Sequence, residues 1–376
     1  MQKSGHKPDY VLIILFWLVI VFGLVMLSSA SSVLGYNTKS GDSYWFVKHQ
    51  ILLGFLPGLF LFFIFSKINY QIWRKFAPLL LLFSIGLLVL VFIPGLGATY
   101  GKAKSWINIF GFSLQPSEIV KLTFLLYLTA WLAKRKEQLR DFAYGFLPFL
   151  VYLGLVAGLI IMQPDVGTVF IIILMSIVVY YAAGAKFSHI LIMFGGAVVG
   201  LVALIKVASY RLDRFLIFLN PDLDPQGIGY HIKQALLAVG SGGWFGLGLG
   251  HSKQKFQYLP EVAGDSIFAI IAEELGFVLV VIFIISFILL FYRMMKTADR
   301  TADTFGHLVA IGVGVWLLGQ FFVNAGAMLG LLPLTGLPLP LVSYGGTAMM
   351  TAMAAVGIVV NISKFTKERL HKKGFR

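Results

Sequence analysis

Apolar stretches about twenty residues long recur from one end of this chain to the other, separated by short polar segments. A helix rises ~1.5 Å per residue, so a run of that length crosses a hydrocarbon layer ~30 Å thick. Inside such a layer each backbone N–H and C=O must find its partner within the segment, and a helix does this unaided. A soluble fold of 376 residues would not carry 59% hydrophobic and only 12% charged residues. The chain is therefore expected to be an all-α polytopic membrane protein, with one transmembrane domain over residues 1–376.

Ten transmembrane helices are expected, at roughly 10–31, 48–66, 77–93, 117–133, 144–162, 165–183, 188–207, 266–292, 306–330 and 344–362. The first run is too long for the apolar part of a signal peptide and is read as retained. With both termini cytoplasmic, the inner segments hold 19 of the 30 Lys and Arg, crowded into short loops. That is the bias that orients membrane helices. Orientation, and contact with anionic membrane lipids of the inner leaflet, absorb most of the net charge of +14, so no nucleic-acid partner is expected. The tail "SKFTKERLHKKGFR" reads as a solvated anchor. The absence of cysteine excludes disulfides and thiolate chemistry.

Three segments, about 94–116, 208–265 and 331–343, are expected outside and are rich in polar and turn residues. The second forms a long outer loop between helices 7 and 8. Within it, "GYHIKQALLAVG" reads as a short amphipathic helix lying against the membrane. The following "GSGGWFGLGLG" lacks both the Gly-Lys-Ser/Thr ending and the preceding strand of a nucleotide loop. Tightly turned backbone, or close approach of backbone to a ligand, accounts for its glycines. The length of the loop and its nine glycines between Gly227 and Gly264 point to a mobile lid that admits substrate.

In this topology every even-numbered span begins outside, so its N-terminus presents unsatisfied N–H groups and partial positive charge there. Three of these ends carry an acid: Glu118 in "QPSEIVK", Asp165 in "QPDVGT" and Asp265 in "AGDSIF". Helix capping accounts for each of them taken singly. Lys121 lies on the face of Glu118 and nearly a turn deeper, either as its ion-pair partner or as a cation facing a polar cavity. With Lys102, Arg211 and Arg214 in the outer segments, the same face gathers cations and helix N-termini, a natural receptor for pyrophosphate. An acid amid such charge is expected to stay ionised at neutral pH, as a general base must. Glu273 and Glu274, about 12 to 13 Å further down the helix, are expected to form a structural or gating pair facing the bundle interior. His231 and His251 have no second ligand at zinc spacing, so no metal-ligating residue is assigned.

The ordered segments "KSWINIFGFSLQPSEIVK", "QPDVGT", "DPQGIGYHIKQALLAVGSGGWFGLGLGHSKQKFQYLPE", "DSIFAIIAEELG" and "GLLPLTGLPLPLVSYGG" resemble the SEDS family of shape, elongation, division and sporulation proteins. The likeness runs over nearly the whole chain, and "GLGLGHSKQKFQYLPE" is more similar to the FtsW and SpoVE branch than to RodA. The resemblance implies a SEDS-type domain in the bacterial cytoplasmic membrane. Its implied activity is that of a peptidoglycan glycosyltransferase, polymerising lipid II into a lipid-linked glycan strand on the outer face, alongside a class B penicillin-binding protein. It also implies that Asp265 is the essential aspartate, and that Trp106, Glu118, Lys121 and Asp165 match positions of the outer cavity; Ser343 is expected among the substrate-binding residues. On that reading Asp265 takes the proton of an acceptor sugar hydroxyl, while Lys121, Arg211 and Arg214 offset charge on the departing pyrophosphate. Trp106 is placed to stack on a sugar face or to anchor at the membrane interface. The chain departs from the family in carrying Ala263 and Gly264 where His-Thr is usual. A divalent Mg²⁺ or Mn²⁺ at the pyrophosphate is compatible with this chemistry, though no ligand signature marks one. The rival expectations are a lipid II flippase, which needs ionisable groups reaching both faces, and a non-catalytic scaffold for the partner synthase.

Overall fold

The computed structural model describes residues 7–95, 97–100, 103–109, 112–207 and 209–366. Fourteen α-helices dominate this part of the chain. Among them, six continuous helical stretches are long and apolar enough to cross a membrane: Tyr10–Thr38, Trp45–Lys67, Phe142–Ile161, Ile267–Arg300, Thr304–Met328 and Gly346–Ser363. Shorter apolar helices occupy Ala77–Leu90, Val166–Ala182 and Phe187–Gly196. The chain is a multi-pass helical membrane protein, as its hydropathy requires.

We number the helices α1 (Tyr10–Thr38), α2 (Trp45–Gln50), α3 (Leu56–Lys67), α4 (Gln71–Lys75), α5 (Ala77–Leu90), α6 (Pro116–Lys134) and α7 (Leu147–Ile161). The remainder are α8 (Val166–Ala182), α9 (Phe187–Val207), α10 (Ser209–Leu219), α11 (Ile228–Ser241), α12 (Ile267–Arg300), α13 (Thr304–Met328) and α14 (Gly346–Ser363). The most enclosed helix is α14, which packs along α3. Small residues bring the two backbones together: a Cβ at Gly357 would lie 2.8 Å from the Phe62 carbonyl oxygen. Such close approach is how membrane helices gain packing energy where lipid removes the hydrophobic drive between them. The next layer packs α13 against α12, α8 and α6, and α1 packs against α12.

The expectation of an all-α chain needs correction. A three-stranded antiparallel sheet, β1 (Gly97–Tyr100), β2 (Ala103–Ile109) and β3 (Phe112–Leu114), fills the first outer segment. In β2 the side chains alternate: Ser105 and Ile107 are buried, while Trp106 and Asn108 face the other way. A period-two run this short is invisible beside windows sized for membrane helices. The second outer segment does contain the amphipathic helix expected from "GYHIKQALLAVG", as α11.

A second correction concerns α12, expected as a span from 266. The helix breaks at Gly276, whose backbone adopts φ 71 and ψ 178. Before the break, residues 267–274 are all buried; after it, Phe277, Val278, Leu279 and Ile282 are exposed as lipid-facing residues are. The membrane-crossing part therefore begins after the break, and residues 267–275 form a short buried helix above it. The glycine-rich segment supplies what the break leaves unpaired. Leu247 and Gly248 donate to the carbonyls of Glu273 and Glu274, each at 3.0 Å, and Phe277 and Val278 donate to those of Gly243 and Trp244. A Cβ at Gly276 would lie 2.2 Å from the Gly246 nitrogen, so both positions need glycine.

Candidate functional site

Asp265 sits where a tight turn enters the short helix. Glu261 reverses the chain at φ 51, and its carbonyl accepts from the N–H groups of Gly264 at 2.9 Å and Ser266 at 3.2 Å. From outside the turn, three groups hold its carbonyls. Asn324 Nδ2 of α13 donates to the Asp265 carbonyl at 2.7 Å and to that of Leu337 at 2.8 Å. Ser343 Oγ donates to the Gly264 carbonyl at 2.6 Å while accepting from the Leu339 N–H, and the Tyr344 N–H reaches the Ala263 carbonyl at 2.8 Å. The backbone of Asp265 is thus fixed by α13 and by the loop before α14.

Its side chain is not so occupied. Asp265 Oδ1 is buried without a hydrogen-bond partner, and so is Oδ1 of Asn324. Burial, and after it the neighbouring Glu261 carboxylate, push the Asp265 carboxyl up to about 7. The Arg214 charge pulls the other way and does not prevail. The expectation of an acid held ionised by surrounding cations is corrected accordingly: the carboxyl is balanced between its two forms at neutral pH, because loss of water outweighs a distant guanidinium. A group poised there serves well as a general base.

Glu118, Lys121 and Asp165 form a second cluster. Pro116 starts α6, and Glu118 lies in its first turn. Lys121 Nζ donates to Glu118 Oε1 at 2.7 Å and to Gln320 Oε1 at 2.8 Å, and lies 5.0 Å from the centroid of the Trp316 ring. Its exposure is 0%. Of the two expectations for Lys121, the geometry is that of the ion pair: in this state the ammonium faces Glu118, Gln320 and Trp316. Asp165 caps α8, accepting from the Thr168 N–H at 3.0 Å, and also accepts from Ser117 Oγ at 3.1 Å and Gln115 Nε2 at 3.3 Å. It therefore ties the starts of α6 and α8 together. Gln320 and Asn324, one turn apart on α13, connect this cluster to the Asp265 turn, for Gln320 also donates to the Pro338 carbonyl at 2.8 Å.

The other expected residues are scattered more widely. Trp106 is half-buried on β2, and its backbone pairs with Ala98. Arg214 is exposed on α10. Lys102 and the side chain of Arg211 lie outside the described residues, as does the chain from 367 onward. Glu273 and Glu274 are structural, as expected, but their partners come from the outer loop and α1. Glu273 accepts from Ser252 Oγ and from the Lys253 N–H; Glu274 accepts from Lys255 Nζ at 3.0 Å and Ser29 Oγ at 2.7 Å. They staple the second half of the expected lid to the short helix.

Sequence reasoning passed over Asn324, Gln320 and the contact between His231 and Ser266. His231 Nε2 lies 2.6 Å from Ser266 Oγ, beside Asp265, and burial pushes its imidazole down to about 4, so it is neutral at pH 7. A lone Asn or Gln within an apolar run was the available signal, since buried amides in a membrane need partners. Among the described residues, no three His, Asp or Glu side chains gather as a metal site.

Comparison with known proteins gives one answer along the whole length. The cell cycle protein family model that covers FtsW, RodA and SpoVE matches residues 9–368. Stage V sporulation protein E of Bacillus subtilis is 40% identical over 370 residues, covering 98% of this chain and 100% of its own. A probable peptidoglycan glycosyltransferase FtsW of Trichlorobacter lovleyi is 41% identical over 365 residues, covering 96% and 95%. Among solved structures, a chain of a peptidoglycan synthase complex that coordinates polymerization and crosslinking superposes with a TM-score of 0.80 at 27% identity, covering 95% of this chain and 97% of that one. The rod shape determining protein RodA of Thermus thermophilus gives a TM-score of 0.70 at 27% identity, covering 96% and 98%.

Proposed function

The chain belongs to the FtsW/RodA/SpoVE family, and from that premise we propose that it is a peptidoglycan glycosyltransferase that polymerises lipid II on the outer face of the cytoplasmic membrane. The observation that carries the reading is Asp265. A carboxylate with an unpaired oxygen, poised near pH 7 and held by its backbone from three sides, has what proton abstraction requires. The acceptor sugar hydroxyl gives its proton to Asp265 as its oxygen attacks the donor sugar, and the undecaprenyl pyrophosphate leaves. Arg214 and Arg211 of α10, with Lys102, are the cations for the departing charge; Trp106 takes a sugar face. Glu118, Lys121, Asp165 and Ser343 act by holding α6, α8 and the Asp265 turn in register, which their hydrogen bonds support. A Mg²⁺ or Mn²⁺ held mainly by the pyrophosphate oxygens is compatible with this scheme and would offset the same charge.

The reading carries a ten-span topology with both termini cytoplasmic. Six long and three shorter apolar helices support the count, with α6 as the tenth. A class B penicillin-binding protein is the proposed crosslinking partner, supported by the likeness to a chain of a synthase complex. Purified protein given labelled lipid II, with and without that partner, tests the assignment. Glycan ladders are expected. Lipid translocation without ladders would mean a flippase, and neither would mean a scaffold.

A further inference from the structure

A cavity of about 310 Å³ lies at the end of α12 remote from Asp265, between the start of α1 and the residues that follow α14. Four cations line it, Lys7, Arg293, Lys296 and Arg300, against one acid, Asp9. That acid is already engaged. Both its oxygens accept from Arg293 Nη2 at 2.5 Å, one also caps α1 at the Leu12 N–H, and the Asp9 N–H donates to Ser363 Oγ. Arg293 is therefore neutralised within the wall, while Lys296 and Arg300 of α12 bring further positive charge to the lining. Arg293 Nε is buried without a partner, so one more donor of this wall is unsatisfied.

We propose that this cavity is a binding site for the phosphate headgroup of an anionic phospholipid, taken from the leaflet opposite to Asp265. The charge selects an anion, and guanidinium and ammonium groups are suited to phosphate. The setting selects a lipid over free phosphate. The cavity includes Tyr10 and Val11, which are exposed, and the exposed face of α1 continues through Ile14 and Leu18. On α12, Leu289 and Tyr292 are exposed beside it, with Lys296 Nζ 5.8 Å from the Tyr292 ring. The two helices pack together, so acyl chains can lie along this apolar flank while the headgroup enters among the cations. The site is separate from the glycosyltransferase chemistry and does not depend on it.

The test uses the full chain in zwitterionic nanodiscs and in neutral detergent. Bound phosphatidylglycerol and phosphatidylcholine are counted by native mass spectrometry, and melting is followed with each lipid and with inorganic phosphate. Wild-type protein is expected to retain phosphatidylglycerol preferentially. Lys296→Gln with Arg300→Gln is expected to weaken that preference on the order of tenfold while melting as wild type in phosphatidylcholine. Lys296→Arg with Arg300→Lys, which keeps the charge and checks that the segment tolerates substitution, is expected to retain it. An undiminished preference in the Gln variant overturns the site. Stabilisation by inorganic phosphate equal to that by phosphatidylglycerol overturns its assignment to a lipid.

Discussion

Replacing Lys121 by Met removes an ammonium while leaving an unbranched chain of similar length. The Glu118 side chain, 2% exposed and 2.7 Å from that ammonium, is then a buried carboxylate with no cation. Removing one partner of a buried pair costs about 3–5 kcal/mol, and loss of the contact with Trp316 adds about 1 kcal/mol. Gln320 Oε1 fares better, because it still accepts from Trp316 Nε1 at 2.9 Å. Adding Glu118→Gln removes the stranded charge, so the double variant is expected to recover about 2–3 kcal/mol of the loss. Melting and denaturant titration in detergent measure the cycle, and lipid II polymerisation by the same preparations measures activity. Recovery of both in the double variant is the expected result. A Lys121→Met protein that melts as wild type yet makes no glycan would refute the reasoning and make Lys121 a substrate cation; so would additive losses in the double variant.

Asp265→Asn is expected to reduce polymerisation by about 10²–10⁴-fold and, because it removes a buried charge while keeping the volume, to melt at or above wild type at neutral pH; wild-type glycan yield would exclude Asp265 as the base. The rate is expected to rise with pH through about 7 as the carboxylate forms, and Glu261→Gln, by removing a like charge, is expected to move that limb to lower pH. The same raised carboxyl binds its proton more tightly folded than unfolded, so its contribution to stability falls as pH rises from the ordinary carboxylate range through about 7. A melting comparison of wild type and Asp265→Asn across that window reads this difference. Gly276→Ala is expected to cost about 3 kcal/mol or more, because φ 71 and the Gly246 backbone both exclude a Cβ; the readout is melting, with protease cleavage between 243 and 255. In amide exchange, the amides of Leu247, Gly248, Phe277 and Val278 are expected to be protected by their bonds across the break, and 213–227 to exchange faster; the reverse order would contradict the pairing of the glycine-rich segment with the broken helix.

The sequence alone determined that the chain crosses the membrane many times, because about twenty apolar residues in succession have one low-energy solution in lipid, and that solution is local. It also located Asp265, Glu118 and Asp165 at helix starts, where the dipole favours an acid, though only Asp165 caps its helix. What it could not determine was set by contacts between residues far apart in the chain. Gly276 breaks α12 only because Gly243–Gly248, some thirty positions earlier, supplies donors and acceptors to the severed turn. Lys121 is turned to a buried pair by Gln320 and Trp316 of α13, and Asp265 is raised toward neutrality by a fold that removes its water and sets Glu261 beside it. Helix propensity and hydropathy are properties of neighbours in sequence; burial, and the charge state it imposes, belong to neighbours in space.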